Sequence, residues 1–373
     1  KFLPALTALL LAASANAAAA RDFDTQKVRL SADIVATGLE NPWGMDFLPD
    51  GRMIVTERGG TMRIVATDGT TLPVAGVPKV VARGQGGLLD VALDPKFAEN
   101  RLVYLSFSEP HDGGKNNTAV ARGKLSAAGD ALEQTTTIWR QEPSFASTAH
   151  FGSRLVFARD GNLFVTVGDR YSQRDEAQNP VNTIGKVIRI TPEGKPAPEN
   201  PGLAGEKWNP FIWSIGHRNV QGAALHPDTG QLWTAEHGAR GGDEINRPEK
   251  GKNYGWPVIT YGVDYSGAKI GVGTHKDGME QPVFFWDPSI APSGMAFYTG
   301  DAFPAWKGNA FVGALAGQLL ARLEFNGDKI VREERLLRGF GERIRDVRQG
   351  PDGLIYLLTD NADGRLLRLK PAN

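Results

Sequence analysis

Apolar positions in this chain come in short runs, not in helical stripes. One phrase recurs: a turn built on Asp-Gly leads straight into an apolar, β-rich segment. Asp50-Gly51 precedes Met53-Ile54-Val55-Thr56, Asp160-Gly161 precedes Leu163-Phe164-Val165-Thr166, and Asp352-Gly353 precedes Leu354-Ile355-Tyr356-Leu357. Asp228-Thr229-Gly230 before Leu232-Trp233-Thr234 is a looser copy. Asp94-Pro95 before Leu102-Val103-Tyr104-Leu105 and Trp306-Lys307-Gly308 before Ala310-Phe311-Val312-Gly313 are weaker echoes. Glycine suits such turns because it takes positive φ freely, and β-branched and aromatic runs suit the strands that follow. Six copies spaced by roughly 45 to 80 residues predict small sheets repeated about an axis, an all-β, six-bladed β-propeller. The last strands, near Leu354 to Leu369, are expected to share a sheet with the N-terminal strand, which a short polar stretch after Ala20 leads into near Val35.

Composition fits many tight turns: 45 glycines and 23 prolines in 373 residues, against a usual glycine share of ~7 %. The formal net charge is zero, which gives no electrostatic case for nucleic acid or an anionic membrane. Lys1, the apolar run Phe2 to Ala13 and the small residues Ala15-Asn16-Ala17 read as an export signal over residues 1–20, with cleavage near Ala17 to Ala20. Residues 21–373 are then expected to form one propeller domain, periplasmic or secreted. No later run reaches the ~18 apolar residues needed to cross a bilayer, so no membrane insertion is expected. There is no cysteine, hence no disulfide and no thiolate metal site; a core of this size can do without. Nothing fixes the oligomeric state, and a monomer is favoured. The segments Thr191 to Gly205 and Gly262 to Gly278 read as long loops within the domain, and loops of that length tend to carry function.

Several residues are candidates for chemistry. His150 and Asp169 are about equally far from the Asp160-Gly161 turn, so antiparallel strands would bring them side by side. A carboxylate would then orient the imidazole and make it more basic; the plain alternative is a strand cap and a turn residue. His217-Arg218-Asn219 follows an apolar strand and could hold an anionic or carbonyl-bearing ligand, or be a surface ion pair. Arg343 and Arg345 would share one strand face, since side chains alternate, and could clamp carboxylates; the alternative is a charged solvent face. The loop Glu236 to Asn246 is glycine-rich and acidic, which suits Ca²⁺ or an ordinary charged turn. Asn253-Tyr254-Gly255-Trp256-Pro257 is rigid and aromatic for a loop. Gln85-Gly86-Gly87 lets a ligand approach the backbone.

In this order, from Gly38 to Lys370, these segments resemble the soluble quinoprotein glucose/sorbosone dehydrogenase family, and within it the periplasmic aldose sugar dehydrogenases. The resemblance implies a six-bladed propeller holding pyrroloquinoline quinone (PQQ) and Ca²⁺ in its central mouth. It implies oxidation of aldoses at the anomeric carbon to lactones, with electrons passed to an external acceptor. By matching position, His150 would be the general base, Asp169 its orienting partner, and Arg218 a stabiliser of developing charge. Gln85, Arg218, Asn219, Arg343 and Arg345 would hold the quinone. The carbonyls of Gly238 and Ala239 would bind the cofactor's calcium, and Glu244 and Tyr254 a second, structural one. One departure stands out: the glucose-specific branch carries a lysine where this chain has Ala316, so an anion contact is missing or supplied elsewhere. Phe284, Phe285 and Trp286 align only loosely with the residues that cover the quinone. A calcium-dependent propeller lactonase and an exported binding propeller without cofactor are the alternatives from other functional classes.

Overall fold

Each Asp-Gly turn does the same local work. In the computed structural model, which describes residues 20–205 and 207–372, the aspartate side chains of Asp50, Asp160 and Asp352 accept the main-chain N–H two residues on, at 3.0–3.1 Å. The glycines that follow have φ of 84°, 82° and 74°, a conformation that costs glycine little and most other residues more. Every such turn joins the innermost strand of an antiparallel sheet, of four strands or, in the last blade, five, to its second. Asp160-Gly161, for example, links Leu155–Phe157 to Leu163–Val167.

Six of these sheets make the molecule. Their inner strands are Pro42–Phe47, Leu88–Leu93, Leu155–Phe157, Val220–Leu225, Pro292–Phe297 and Ile344–Gln349, and each contacts its neighbours around a common axis. This is the six-bladed propeller that the repeats predict. Helix is confined to Phe97–Asn100 and a few 3-10 turns among the described residues. Buried apolar side chains form one core per blade interface. The core between the fifth and sixth blades is the richest in aromatics, with Tyr298, Phe303, Trp306 and Phe311. The one between the third and fourth is the thinnest, built on Phe164, Val187, Ala223 and Leu232.

The ring closes as expected. Arg29–Leu39 pairs antiparallel with Gly364–Pro371 and completes the sixth sheet. One expectation needs correcting: the polar stretch before Val35 is not a lead-in loop. Arg21–Asp24 is a fifth, outermost strand of that sheet, paired with Arg29–Ala32. Its charges hide it because nearly all of it faces solvent, so no apolar alternation marks it. The export segment proposed for residues 1–20 lies, but for its last residue, outside the described residues.

Two ends of the axis differ. The Asp-Gly turns lie at one end. The crossings from an outer strand to the next inner strand, and the loops between second and third strands, lie at the other. The candidate residues lie in crossings or second-to-third loops, or beside one, except Tyr254, which the long connection between the third and fourth strands of the fourth blade carries back against the His217 crossing.

Candidate active site

His150 sits in the crossing between Leu132–Arg140 and Leu155–Phe157. The crossing is tightly wound, with φ of 51° at His150, 65° at Gly152 and 87° at Ser153; strained backbone of this kind collects at functional sites. Gly168 allows the approach, since a Cβ there would lie 2.2 Å from the carbonyl oxygen of His150. His150 Nδ1 is 2.6 Å from Asp169 Oδ1. Strand pairing stops at Leu155 with Val165, so the pair is made by loops and not by the strand ends that its spacing suggested. The carboxylate can only accept here, so Nδ1 carries the hydrogen and Nε2 presents a lone pair. Burial pushes the imidazole below its ordinary pKa, Asp169 opposes this, and Arg218 and Arg170 add to it. The ring is therefore neutral at neutral pH, in the form that accepts a proton.

Neighbouring residues converge on the same spot. Gln85 Oε1 accepts the main-chain N–H of His150 at 2.8 Å. Asn219 Oδ1 accepts that of Gly152 at 3.1 Å. Both side chains thus hold the His150 crossing. The main-chain N–H of Asp169 donates to the Arg218 carbonyl at 2.7 Å. Arg218 itself is buried, donates to the His237 carbonyl at 3.2 Å, and lies over the ring of Trp256, 5.2 Å from its centroid.

The two sixth-blade arginines are placed differently from the alternation argument. The inner strand begins at Ile344 and bulges before Asp346. Arg343 is exposed outside it and Arg345 is buried. They still converge, because Asp360 Oδ2 accepts from Arg343 at 2.9 Å and from Arg345 at 3.1 Å. One carboxylate between two guanidinium groups leaves a net positive charge for an anionic ligand. Arg345 also donates to Gln221 Oε1 at 2.8 Å.

The Glu236 to Asn246 loop provides oxygen ligands. The N–H of Gly238 donates to Asp243 Oδ1 at 2.8 Å, while the carbonyl oxygens of Gly238 and Ala239 carry no hydrogen bond among the described residues. Glu244 lies directly opposite Glu236 in the adjoining strand. Burial first, and Glu236 second, push the Glu244 carboxyl up to about 8. The nearby Asn246 Oδ1 is buried without a partner. Tyr254 stacks on His217 at 4.9 Å, and its hydroxyl is bonded to the Arg247 carbonyl and the Glu249 N–H. Any metal contact from Tyr254 therefore falls to its main chain. Among the described residues, no three His, Asp or Glu side chains converge as a metal cage.

Two cavities adjoin at this end of the axis. One of about 280 Å³ is lined by His150, Asp169, Tyr171, Arg218, Trp256 and Tyr265. The other, about 740 Å³, is lined by His237, Gly238, Ala239, Arg240, Tyr265 and Ala316. Ala239 and Tyr265 belong to both. The sequence model described as Glucose / Sorbosone dehydrogenase matches residues 39–368, the whole span that carries these groups. The chain belongs to the glucose/sorbosone dehydrogenase family.

Within that family it is 46 % identical over 348 residues to the aldose sugar dehydrogenase YliI of Escherichia coli, covering 92 % of this chain and 94 % of that one. It is 28 % identical over 412 residues to the quinoprotein glucose dehydrogenase B of Acinetobacter calcoaceticus, covering 88 % and 85 %. The PQQ-bound aldose sugar dehydrogenase of Streptomyces coelicolor superposes with a TM-score of 0.76 at 30 % identity, over 91 % of this chain and 98 % of that one.

Some site residues of this dehydrogenase-family chain escape the sequence reading. Asp360 is one, although it follows a second strand just as Asp169 does, so aligning the repeats would have found it. Arg240 and His237 are others. Arg240 makes no ion pair among the described residues, and His237 Nε2 is buried without a partner. The segment Phe284–Trp286 is an outer strand. Phe285 stacks on Tyr261 at 4.0 Å, and Trp286 donates to Glu333 at 3.1 Å. Neither lines the two cavities.

Proposed function

We propose that this chain is a PQQ- and Ca²⁺-dependent aldose dehydrogenase that oxidises the anomeric carbon to a lactone and passes electrons to an external acceptor. The observation that carries it is the buried His150–Asp169 pair, beside Arg218, on the wall of a small cavity that adjoins, at Ala239, a larger one lined by Arg240 and by Gly238 and Ala239 with their free carbonyls. The residues fit the cofactor. A cavity of about 740 Å³ is of the size small-molecule sites have. The unbonded carbonyls of Gly238 and Ala239 suit a hard cation. When bound, the quinone supplies the hydride acceptor and calcium the fixed positive charge beside it.

The protein's own groups do the rest. His150 Nε2 takes the proton of the anomeric hydroxyl as hydride leaves the same carbon. Asp169 holds the imidazole in the right tautomer and stabilises the cation that forms. Arg218, buried in the wall of the same cavity, would help hold the quinone and supply a fixed positive charge there. Arg343 and Arg345, together net positive after Asp360, meet cofactor carboxylates, and Asn219 and Gln85 keep the His150 crossing in place. Arg240 supplies a further guanidinium on the side where Ala316 carries no charge. Glu244 with the main chain of Tyr254 holds a second, structural calcium. Residues 1–20 direct export, so the sugar and the acceptor are met outside the cytoplasm.

The test is reconstitution with PQQ and Ca²⁺, an aldose and a reducible dye. Dye reduction is expected, and none with any of several sugars rejects the reading. His150→Ala should keep quinone binding and lose about 10²- to 10⁴-fold in turnover. Because a base must be unprotonated, wild-type turnover should fall as pH drops through a midpoint below the ordinary histidine value of 6.5.

A further inference from the structure

Trp256 touches both halves of the catalytic apparatus. Its indole Nε1–H donates to Asp169 Oδ2 at 2.7 Å. The other oxygen, Oδ1, takes His150 Nδ1 at 2.6 Å and the Tyr171 N–H at 2.8 Å. With donors on both oxygens, the carboxylate cannot rotate away from the imidazole. The ring face of the same tryptophan carries the Arg218 guanidinium.

The tryptophan is itself firmly held. Its N–H donates to the Gly216 carbonyl at 3.0 Å, and its carbonyl accepts from Gln178 Nε2 at 2.7 Å. Its ring packs with Ala177, Ala239 and Ile270 and is 6 % exposed. It lines the cavity with His150.

We propose that Trp256 is a positioning residue that couples the proton acceptor to the charge-stabilising guanidinium: the indole N–H sets the Asp169 carboxylate, and the ring seats Arg218. The inference rests on the aldose dehydrogenase reading for its meaning, though not for its test. A hydrogen bond to Oδ2 draws charge from the carboxylate and so moderates how strongly Asp169 favours the imidazolium. The face of an aromatic ring attracts a guanidinium and fixes its plane. One side chain therefore tunes the basicity of His150 and the place of the positive charge together.

Two variants separate the two contacts. Trp256→Phe keeps an aromatic face and loses the N–H, while Trp256→Leu loses both. The charged and titratable groups facing the imidazole are Asp169, Arg170, Tyr171, whose ring meets it edge-on at 5.3 Å, Arg218 and His237, and neither variant removes any of them. In the apo protein, histidine-selective NMR should show the His150 midpoint rising by about half to one pH unit in both variants. Quinone affinity, followed by absorbance, should stay within about twofold in Trp256→Phe and fall about five- to tenfold in Trp256→Leu. In reconstituted enzyme the acid limb of the pH–rate profile should move up with the NMR midpoint.

A drop in melting temperature without any movement of the His150 midpoint would assign Trp256 a structural role only and overturn the proposal. Should either variant fail to fold, the wild-type indole N–H resonance decides. It should shift as His150 titrates, and a resonance indifferent to that titration overturns the proposal. If wild-type protein binds no quinone and oxidises no sugar, the functional reading fails, while the apo NMR result still reports on Trp256 and Asp169.

Discussion

A buried carboxylate with no cation beside it holds its proton, and Glu244 is such a group among the described residues. Its carboxyl is pushed from 4.5 to about 8, by burial first and by Glu236 next. The folded pKa exceeds the unfolded one. The stabilisation it represents is therefore complete below about pH 4.5 and is lost as pH rises through about 8. A divalent ion there would take the proton's place, and its benefit would grow as the proton leaves. Added Ca²⁺ should therefore raise the melting temperature of chelator-treated protein more at pH 8 than at pH 5, and Glu244→Gln should abolish that difference. Equal shifts at both pH values would remove Glu244 from any calcium site. Residues differ in how far the chain alone betrays them. His150 and Asp169 flank a recognisable turn at similar distances, so their meeting was legible. Arg345 was placed near the site for a wrong reason, because a bulge breaks the alternation that the argument used. Asp360, which gathers both arginines, carries no local signal beyond its place in the repeat.

Elements pinned at both ends were easy to read. The Asp-Gly turns mark where one strand stops and the next begins, and the apolar runs fill the interfaces between blades. What the periodicity does not reveal is how the inner strands are held around the axis. Arg154, fully buried on the third blade, lies 3.0 Å from Asp90 of the second and 2.9 Å from Asp346 of the sixth. Arg348 joins the same two carboxylates from below, at 3.2 and 3.3 Å. Trp43 of the first blade receives Arg154 on its ring at 4.3 Å. Strands of four blades thus meet through charges, which no apolar pattern encodes. Removing one partner of such a network strands the other in a low-dielectric interior. Arg154→Met should lower stability by about 3–5 kcal/mol in urea unfolding. A loss under about 1 kcal/mol, the scale of an exposed pair, would mean that the network contributes little.

At the scale of the molecule, six similar interfaces make a ring that is as strong as its seam. The seam is Arg29–Leu39 against Gly364–Pro371, and Leu30 lies wholly buried there among fifth- and sixth-blade side chains. Leu30→Ala should cost about 2–5 kcal/mol, as large-to-small changes in cores do. Limited proteolysis should then cut first in the N-terminal strands, and early cleavage in another blade instead would show that the ring opens elsewhere. The ring and its closure were legible because repetition is a signal of the entire chain. The extra strand Arg21–Asp24 was not, since a solvated edge has no reason to look apolar.

That seam also sets an order of events. Arg29–Leu39 can find its mate only after residue 371, more than 300 residues later, has been synthesised. The sixth sheet, with Arg343, Arg345 and Asp360 on it, cannot take its final shape while the tail is still being made. Were the chain exported unfolded, as proposed above, it would stay unlocked until residue 371 had passed, and the candidate site would assemble only after that.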